Sequence, residues 1–300
     1  MIKLVTDSVA SIPKDMIKGK PIEVVSLYIN HDGIEYVDAE MDVDAFYNDI
    51  YDMVDNIPTS SQPSAQAVES VFEQIAQAGD QLLGIFVSSG LSGTFESVVQ
   101  SARALKDRIP DFDYALIDSR SCSFDEAFPI FDALDAQAAG KSLKECVATT
   151  IKGIKSTRFL FTPETLTFLQ KGGRIGNAAA LLGNLIQLSP VLTVMDGKAT
   201  TVAKIRSRKK ALNRIVDEFK SDVETYGLKR VAVHYIGDKT PAVEWAHKVI
   251  EPLVGKKVQV EPVSPVIGMH VGPAVGIAYE CLSPMPHKFP NSEPSLVTCG

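Results

Sequence analysis

The sequence predicts an α/β protein with two domains, and two features of its pattern predict this. In the first half, short apolar segments of strand length alternate with amphipathic segments of helical period, which is typical of a parallel sheet flanked by helices. The second half has a different texture, in which Asp196-Gly197 between two strands indicates a β-hairpin. We place the domain boundary near Lys155, so the N-terminal domain spans residues 1–155 and the second α/β domain spans residues 156–284.

The first half supplies the clearest elements. Residues 64–78 place Val68, Phe72 and Ile75 at helical spacing, and Gly79 ends that helix. The run of residues 82–87 is apolar, short and followed by a polar loop, which is typical of a buried strand. The predicted strands are residues 2–5, 22–29, 82–87 and 114–117, and the predicted helices are residues 46–54, 64–78 and 95–105.

The second half gives weaker patterns of the same kind, followed by a tail. The predicted strands are residues 159–161, 191–194, 199–205, 231–235 and 258–260, and the predicted helices include residues 166–169, residues 178–186 and one that opens at residues 206–210. Residues 285–300 are rich in Pro and Ser and have no apolar period. We therefore expect the tail to be an appendage outside the core.

Composition and charge exclude several classes of protein. Hydrophobic residues make up 45% and charged residues 22% of the 300 residues, which is ordinary for a globular protein. The net charge of -7 argues against a dedicated nucleic-acid binder, which needs clustered Lys and Arg. The 4 cysteines have no metal-binding spacing, and no acidic run matches a calcium loop. The apolar run at the start is interrupted by Asp7 and is too short for a signal peptide. We predict a cytoplasmic protein with no transmembrane segment, no metal and no cofactor.

Two loops rich in Ser and Thr each lead into a predicted helix, and both are candidate anion sites. They contain Thr59 and Ser60 in residues 59–64, and Ser92 and Gly93 in residues 88–94. A helix N-terminus favours an anion through its unpaired amides and its dipole. The carboxyl ends of parallel strands, where these loops lie, commonly bind ligands. One hydroxyl could equally be a helix cap, but the glycine-rich length of the second loop favours a ligand.

Three basic or imidazole side chains extend the candidate site. His270 lies among glycines in residues 268–276, which predicts a shaped loop that approaches a ligand closely, although a lone histidine can also be structural. Arg174 and Arg206 lie in basic segments that could contact an anionic ligand or partner, or could be solvated patches. His234 ends an apolar strand and is assigned to the core.

Other classes of function remain open at this point. Residues 90–94 nearly match the Gly-x-Ser-x-Gly motif of serine hydrolases, with Thr94 at the last position, so Ser92 with His270 could form a nucleophile and base. A phosphotransferase would be favoured by a P-loop, and the sequence has none. A third class is a protein that binds another anion-headed small molecule.

Seven short motifs together make the chain resemble the DegV family. They occur in family order and extend to about residue 280; they are residues 6–8, 59–64, 88–94, 118–119, 171–175, 206–210 and 270–273. The resemblance implies two α/β domains with a long-chain fatty acid buried between them. It implies that Thr59 and Ser92 hold the carboxylate with His270 nearby, and that no residue is catalytic. It also implies a partner, a separate kinase subunit that phosphorylates the bound acid to an acyl phosphate.

The chain departs from the family pattern at two places. The family usually has small residues with glycine after Ser119, whereas residues 123–127 of this chain are bulky and charged. The tail from residue 285 also lies outside the pattern.

Overall fold

The fold of the chain is described by a computed structural model, which covers residues 1–184 and 188–299. In chain order its strands and helices are β1 (Ile2–Asp7), α1 (Lys14–Ile17), β2 (Ile22–Val25), β3 (Tyr28–His31), β4 (Ile34–Val37), α2 (Val43–Asp49), β5 (Thr59–Ser61), α3 (Ala65–Gln77), β6 (Gln81–Phe86), α4 (Thr94–Arg108), β7 (Tyr114–Asp118), α5 (Phe124–Ala138), α6 (Leu143–Ser156), β8 (Thr157–Pro163), α7 (Thr167–Lys171), β9 (Val191–Met195), β10 (Lys198–Ala203), α8 (Arg208–Tyr226), β11 (Leu228–Ile236), α9 (Thr240–Trp245), α10 (Glu251–Val254), β12 (Gln259–Pro262), α11 (Pro265–Val271), β13 (Ala274–Cys281) and β14 (Leu296–Thr298). Within these ranges, none of the helices has both the length and the apolar character that crossing a membrane requires.

The first domain is built on a sheet whose strands β7, β6, β1 and β2 are parallel, which confirms the predicted parallel sheet. Successive residues of a strand point to opposite faces, so both faces carry apolar side chains. Leu82 packs with α3 and α4 on one face, and Leu83 packs with α5 and α6 on the other. The sheet is therefore covered by helices on both sides.

The second domain has a mainly antiparallel sheet in the order β10-β9-β8-β13-β11-β12. The predicted hairpin at Asp196-Gly197 is confirmed, because Met195 pairs with Lys198 across it. The predicted strand 22–29 divides into β2, which joins the first sheet, and β3, which forms a small antiparallel sheet with β4 and β5. The predicted helix 178–186 is a 3-10 helix over Gly176–Asn184, and its predicted last residues lie outside the described ranges.

The tail is anchored to the fold and buries Met285 and Lys288, so the prediction of an appendage is wrong. β14 adds an antiparallel strand to the edge of the first-domain sheet beside β7. Before it, Lys288 is fully buried, and its Nζ donates to Asp125 Oδ1 at 2.6 Å and to Thr157 Oγ1 at 2.7 Å. A lysine is buried at this depth only when a carboxylate neutralises it. The tail therefore has a specific partner in the first domain.

That partner lies in the segment that departs from the family pattern. Residues 123–127 begin α5, and the side chains of Asp125 and Glu126 are fully buried. Ser123 precedes the helix with φ 57° and ψ -148°, a conformation that favours glycine. Its backbone N–H donates to Val9 O at 2.9 Å, which holds the turn against the segment that follows β1. The two departures from the family pattern are thus one structural unit, an acid at the start of α5 and a lysine from the tail.

We predict that Lys288→Met destabilises the fold, because it leaves the Asp125 carboxylate buried without a cation. Breaking a buried ion pair on one side costs about 3–5 kcal/mol, whereas replacing both partners by uncharged groups costs much less. The double variant Asp125→Asn with Lys288→Met should therefore recover most of the lost stability. Urea unfolding of the three proteins measures both effects. Equal stability of Lys288→Met and the unmodified protein would contradict the role of this ion pair.

Candidate functional site

A largely apolar cavity of ≈ 70 Å³ lies between the two domains. Its polar side chains are those of Ser60, Ser92, Arg174 and His270. The remaining lining residues come from both domains and are Val9, Leu27, Val87, Leu91, Cys122, Phe159, Phe161, Leu169, Val194, Ala199, Val266, Ile267 and Val271. An apolar cleft between domains with a few polar groups is typical of a small-molecule site.

His270 and Ser60 bring the two domains into contact at the polar part of the cavity. His270 Nε2 lies 2.9 Å from Ser60 Oγ, and either group can donate that hydrogen bond. His270 is carried by α11, which begins at Ser264, whose hydroxyl accepts from the Ile267 amide. Gly172 packs so closely that a Cβ there would lie 2.5 Å from His270 Nδ1. The imidazole is therefore held on two sides.

The segment around His270 is not the loop that its glycines predicted. It is helix α11 followed directly by β13, and only Gly272 and Pro273 connect the two. Gly268 lies inside the helix, and this position requires glycine because a Cβ there would lie 2.5 Å from the Tyr47 ring. Gly272 has φ 72°, which ends the helix and suits glycine. Close packing, rather than loop structure, requires these glycines.

The charge state of His270 follows from its surroundings. Burial, together with the Arg174 guanidinium, lowers the pKa of His270 from 6.5 to about 4. The ring is therefore neutral at pH 7 and leaves Arg174 as the positive charge of the cavity. Arg174 Nε donates to Leu91 O at 3.2 Å and its Nη1 donates to Gly172 O at 2.7 Å, so its guanidinium is anchored to both domains.

Ser92 lies at the N-terminus of α4. Its Oγ is 2.9 Å from Thr94 Oγ1, and it accepts from the Thr94 amide at 3.3 Å. Gly93 is the N-cap residue and makes no side-chain cap, and a Cβ there would lie 2.7 Å from Gln62 Oε1. The two predicted loops thus meet here. The unpaired amides and the dipole of a helix N-terminus favour an anion, and the anion site at this loop stays a prediction.

Three predicted site residues do not line the cavity: Gly93, which is the N-cap of α4, and the two residues Thr59 and Arg206. Thr59 is exposed, because side chains of β5 alternate and only Ser60 of its three residues faces inward. Arg206 is also exposed, just before α8. The ligand-binding roles predicted for both residues therefore have no support from their positions.

Asp7, from the first sequence motif, supports the cavity wall. Its carboxylate accepts from the Val9 amide at 2.9 Å and from the Val87 amide at 2.8 Å, and both valines line the cavity. Burial raises the pKa of Asp7 to about 7. Sequence reasoning missed the apolar wall, since its members come from distant segments and no local pattern marks them.

The geometry does not favour the hydrolase hypothesis. A serine nucleophile needs a hydrogen bond to its base, but Ser92 Oγ contacts Thr94 and His270 Nε2 contacts Ser60. Among the residues that the structure describes, no group of three or more His, Cys, Asp or Glu side chains could bind a metal ion.

The pKa of His270 gives a pH-dependent stability. Between pH 6.5 and about 4 the unfolded chain binds a proton at His270 that the folded protein excludes, so this contribution is present above pH 6.5 and is lost as the pH falls. We expect the unmodified protein to lose ~2–3 kcal/mol more than His270→Gln between pH 7 and pH 4. Urea unfolding at the two pH values measures the difference. An equal loss in both proteins would show that His270 protonates as readily when folded.

Comparison with known proteins agrees with this architecture. A family model described as "Uncharacterised protein, DegV family" matches residues 1–281. A DegV domain-containing protein of Clostridium acetobutylicum is 37% identical over 283 residues, which cover 93% of this chain and 97% of the relative. Protein DegV of Bacillus subtilis is 31% identical over 285 residues, with 93% and 98% covered.

Solved structures show the same fold. A DegV family protein from Thermus thermophilus, described for its fatty acid binding, superposes with a TM-score of 0.83 at 30% identity and covers 94% of this chain and 99% of its own. DegV from Bacillus subtilis, described as a fatty acid binding protein, gives a TM-score of 0.82 at 28% identity, with 93% and 99% covered. The family match, the relatives and the fold agree over nearly the whole length, and the chain belongs to the DegV family.

Proposed function

We propose that this protein binds a long-chain fatty acid between its domains, with the carboxylate at the Ser60, Ser92 and Arg174 end of the cavity. The observation that carries the proposal is the connected set of polar groups in an otherwise apolar cavity. Ser60 contacts His270, His270 packs on Gly172, and Arg174 bridges Gly172 and Leu91, the residue before Ser92. The relatives from Thermus thermophilus and Bacillus subtilis, described as fatty acid binding, support the same conclusion.

The acyl chain would extend from this polar end along the second-domain sheet. A smaller cavity of ≈ 10 Å³ adjoins the first, and the two share Phe159, Phe161, Ile267 and Val271 in their walls. Ligand pockets usually measure about 300–1,000 Å³, so these side chains would move apart as the chain enters. The shared residues are apolar, so their movement would break no side-chain hydrogen bond.

The two ends of the ligand would contribute differently. Burying about fourteen methylenes of a sixteen-carbon acid gives ~11 kcal/mol at ~0.8 kcal/mol each, before the cost of association is subtracted. Each charge-assisted hydrogen bond to the carboxylate adds ~1.5–3 kcal/mol. The chain would therefore dominate affinity, and the head-group contacts would fix its orientation.

We expect Ser60→Ala to weaken palmitate binding about tenfold, because it removes one hydrogen bond worth about 1.4 kcal/mol or more. The neighbouring exposed Thr59→Ala is the matched control and should bind palmitate like the unmodified protein. Fluorescent-lipid displacement measures both affinities. If Thr59→Ala weakens binding and Ser60→Ala does not, the head group lies elsewhere. If the unmodified protein binds no palmitate, the proposed function is wrong and another anion-headed ligand replaces it.

We further propose that the bound acid is presented to a separate kinase subunit, which forms the acyl phosphate, and that this protein is not itself the enzyme. The resemblance of the motifs to the DegV family motivates the partner. The exposed basic residues Arg206, Lys209 and Lys210 supply a surface that suits an acidic patch on such a subunit. Arg174 is anchored at the cavity instead and belongs to the head-group site.

Charge reversal separates docking from lipid binding. Arg206→Glu with Lys210→Glu should lower the rate of acyl-phosphate formation by about tenfold or more with a bacterial fatty acid kinase subunit, because the encounter of complementary charges is lost. Palmitate affinity should not change. Lys256→Glu with Lys257→Glu, at two exposed positions elsewhere, is the control that matches the change in net charge. An unchanged rate in the double variant would exclude this patch as the docking surface.

A further inference from the structure

Two buried imidazole nitrogens of the second domain lack a hydrogen-bond partner among the described residues, His270 Nδ1, which faces Gly172, and His234 Nε2. His234 on β11 is 1% exposed, and its Nδ1 lies 3.0 Å from the backbone oxygen of Glu261. Because a carbonyl oxygen only accepts, Nδ1 carries the proton and Nε2 presents a lone pair. Among the described residues no group hydrogen-bonds to that Nε2. Buried polar atoms are nearly always paired, so this acceptor requires an explanation.

The register of three strands explains the space beside it. Phe161 on β8 pairs with Gly276 on β13, and Gly276 pairs with His234 on β11, so the three lie in one row across the sheet. Ala274 and Ala278 flank Gly276 on the same face. A Cβ on Gly276 would lie 2.8 Å from Phe161 Cβ. Ala274, Gly276 and Ala278 of β13 therefore form the floor of a trough. Phe159 and Phe161 of β8 lie on one side of it and His234 lies on the other.

The trough adjoins the proposed lipid site. The small cavity above Gly276 is lined by His234 and shares Phe159 and Phe161 with the main cavity. From α11, Ile267 and Val271 cover both. An acyl chain that enters from the polar end would reach His234 with its distal part.

We propose that the trough accepts the distal part of a fatty acid that carries a hydroxyl group on its chain, and that His234 Nε2 accepts the hydrogen bond of that hydroxyl. The inference rests on the proposed function and names a ligand class for the same site. The other trough walls are apolar side chains, apart from Tyr235, whose hydroxyl already donates to Asp44 at 2.8 Å. A hydroxyl can donate to Nε2, whereas a keto group cannot.

The environment keeps His234 suited to this role. Burial lowers the pKa of His234 from 6.5 to about 4, so the ring is neutral and Nε2 remains an acceptor at pH 7. The rings of Phe124 and Phe159 pack edge-on against the imidazole, with centroids at 4.6 Å and 5.8 Å. A water molecule is a poorer occupant, because a buried water usually makes about three hydrogen bonds and, among the described residues, His234 Nε2 is the one side-chain atom of the trough that lacks a partner.

The test compares palmitate with hexadecanoic acids that carry one hydroxyl or one keto group at successive carbons from the middle of the chain to its end. In the unmodified protein, one hydroxyl position should bind as well as palmitate, and the keto acid of that position should bind about tenfold more weakly. His234→Leu should lower the affinity for the favoured hydroxy acid, relative to the affinity of the same variant for palmitate, by about tenfold or more. His234→Gln, which can place an amide oxygen near the position of Nε2, should retain part of the preference.

Two results would overturn the inference while leaving the proposed function intact. One is that every hydroxy acid binds more weakly than palmitate by about the same factor in all three proteins. The other is that His234→Leu weakens palmitate and the hydroxy acids equally, which would identify His234 as a packing residue. If no fatty acid, hydroxylated or not, binds to the unmodified protein, the proposed function fails and the inference fails with it.

Discussion

The contact between the Asp196-Gly197 turn of the second domain and the loop at residues 88–90 of the first sets the distance between the two walls of the cavity. Ser88 Oγ donates to Gly197 O at 2.9 Å, and Gly90 lies so close to the same carbonyl that a side chain would collide with it. The loop continues directly into Leu91 and Ser92. The turn connects β9 and β10, which place Val194 and Ala199 in the opposite wall. The close contact of Gly90 with Gly197 thus positions lining residues from both domains.

The tail braces this contact from outside. Asn291 Nδ2 donates to Asp196 Oδ2 at 3.0 Å, and Ser292 Oγ donates to Asp196 Oδ1 at 2.7 Å. The turn is therefore held by residues of the tail, which lies outside the family pattern. Arg120 adds a bond to Asp196 O at 2.7 Å from the first domain. On either side of these contacts, Lys288 is anchored in the core and β14 is anchored on the first sheet. Both domains are therefore tied to the same short segment.

Local periodicity predicted the elements that pack one face on the first sheet, and it failed where partners are distant. The helix of residues 64–78 and the hairpin at Asp196-Gly197 were readable, because helical spacing and turn chemistry are properties of neighbouring residues. Helix α5 was not predicted, because it is buried almost all round and carries Asp125 and Glu126 inside. The lysine that neutralises Asp125 is 163 residues away, and no window of sequence contains both. The candidate site was limited in the same way: the polar loops were identified, but the apolar wall was not.

The ligand-binding role was predicted for Thr59, but the side chain that faces the cavity is that of the next residue, Ser60. In β5 the side chains alternate, so a motif can identify the right strand and still assign the wrong face. Ser60 pairs with Ile29 of β3, a fully buried residue, and its hydroxyl points to the cavity, while Thr59 beside it faces solvent.

The two histidines show a similar limit of prediction from sequence. His270 was singled out by its glycines and His234 was assigned to the core, yet both are neutral imidazoles in the walls of two adjoining apolar cavities. In such a space an unpaired acceptor discriminates between ligands more strongly than any methylene contact, because leaving it unpaired costs free energy that an apolar chain cannot return. The hydroxyl selectivity proposed above therefore rests on a buried polar atom of the second-domain sheet, which the sequence motifs of the first domain do not report.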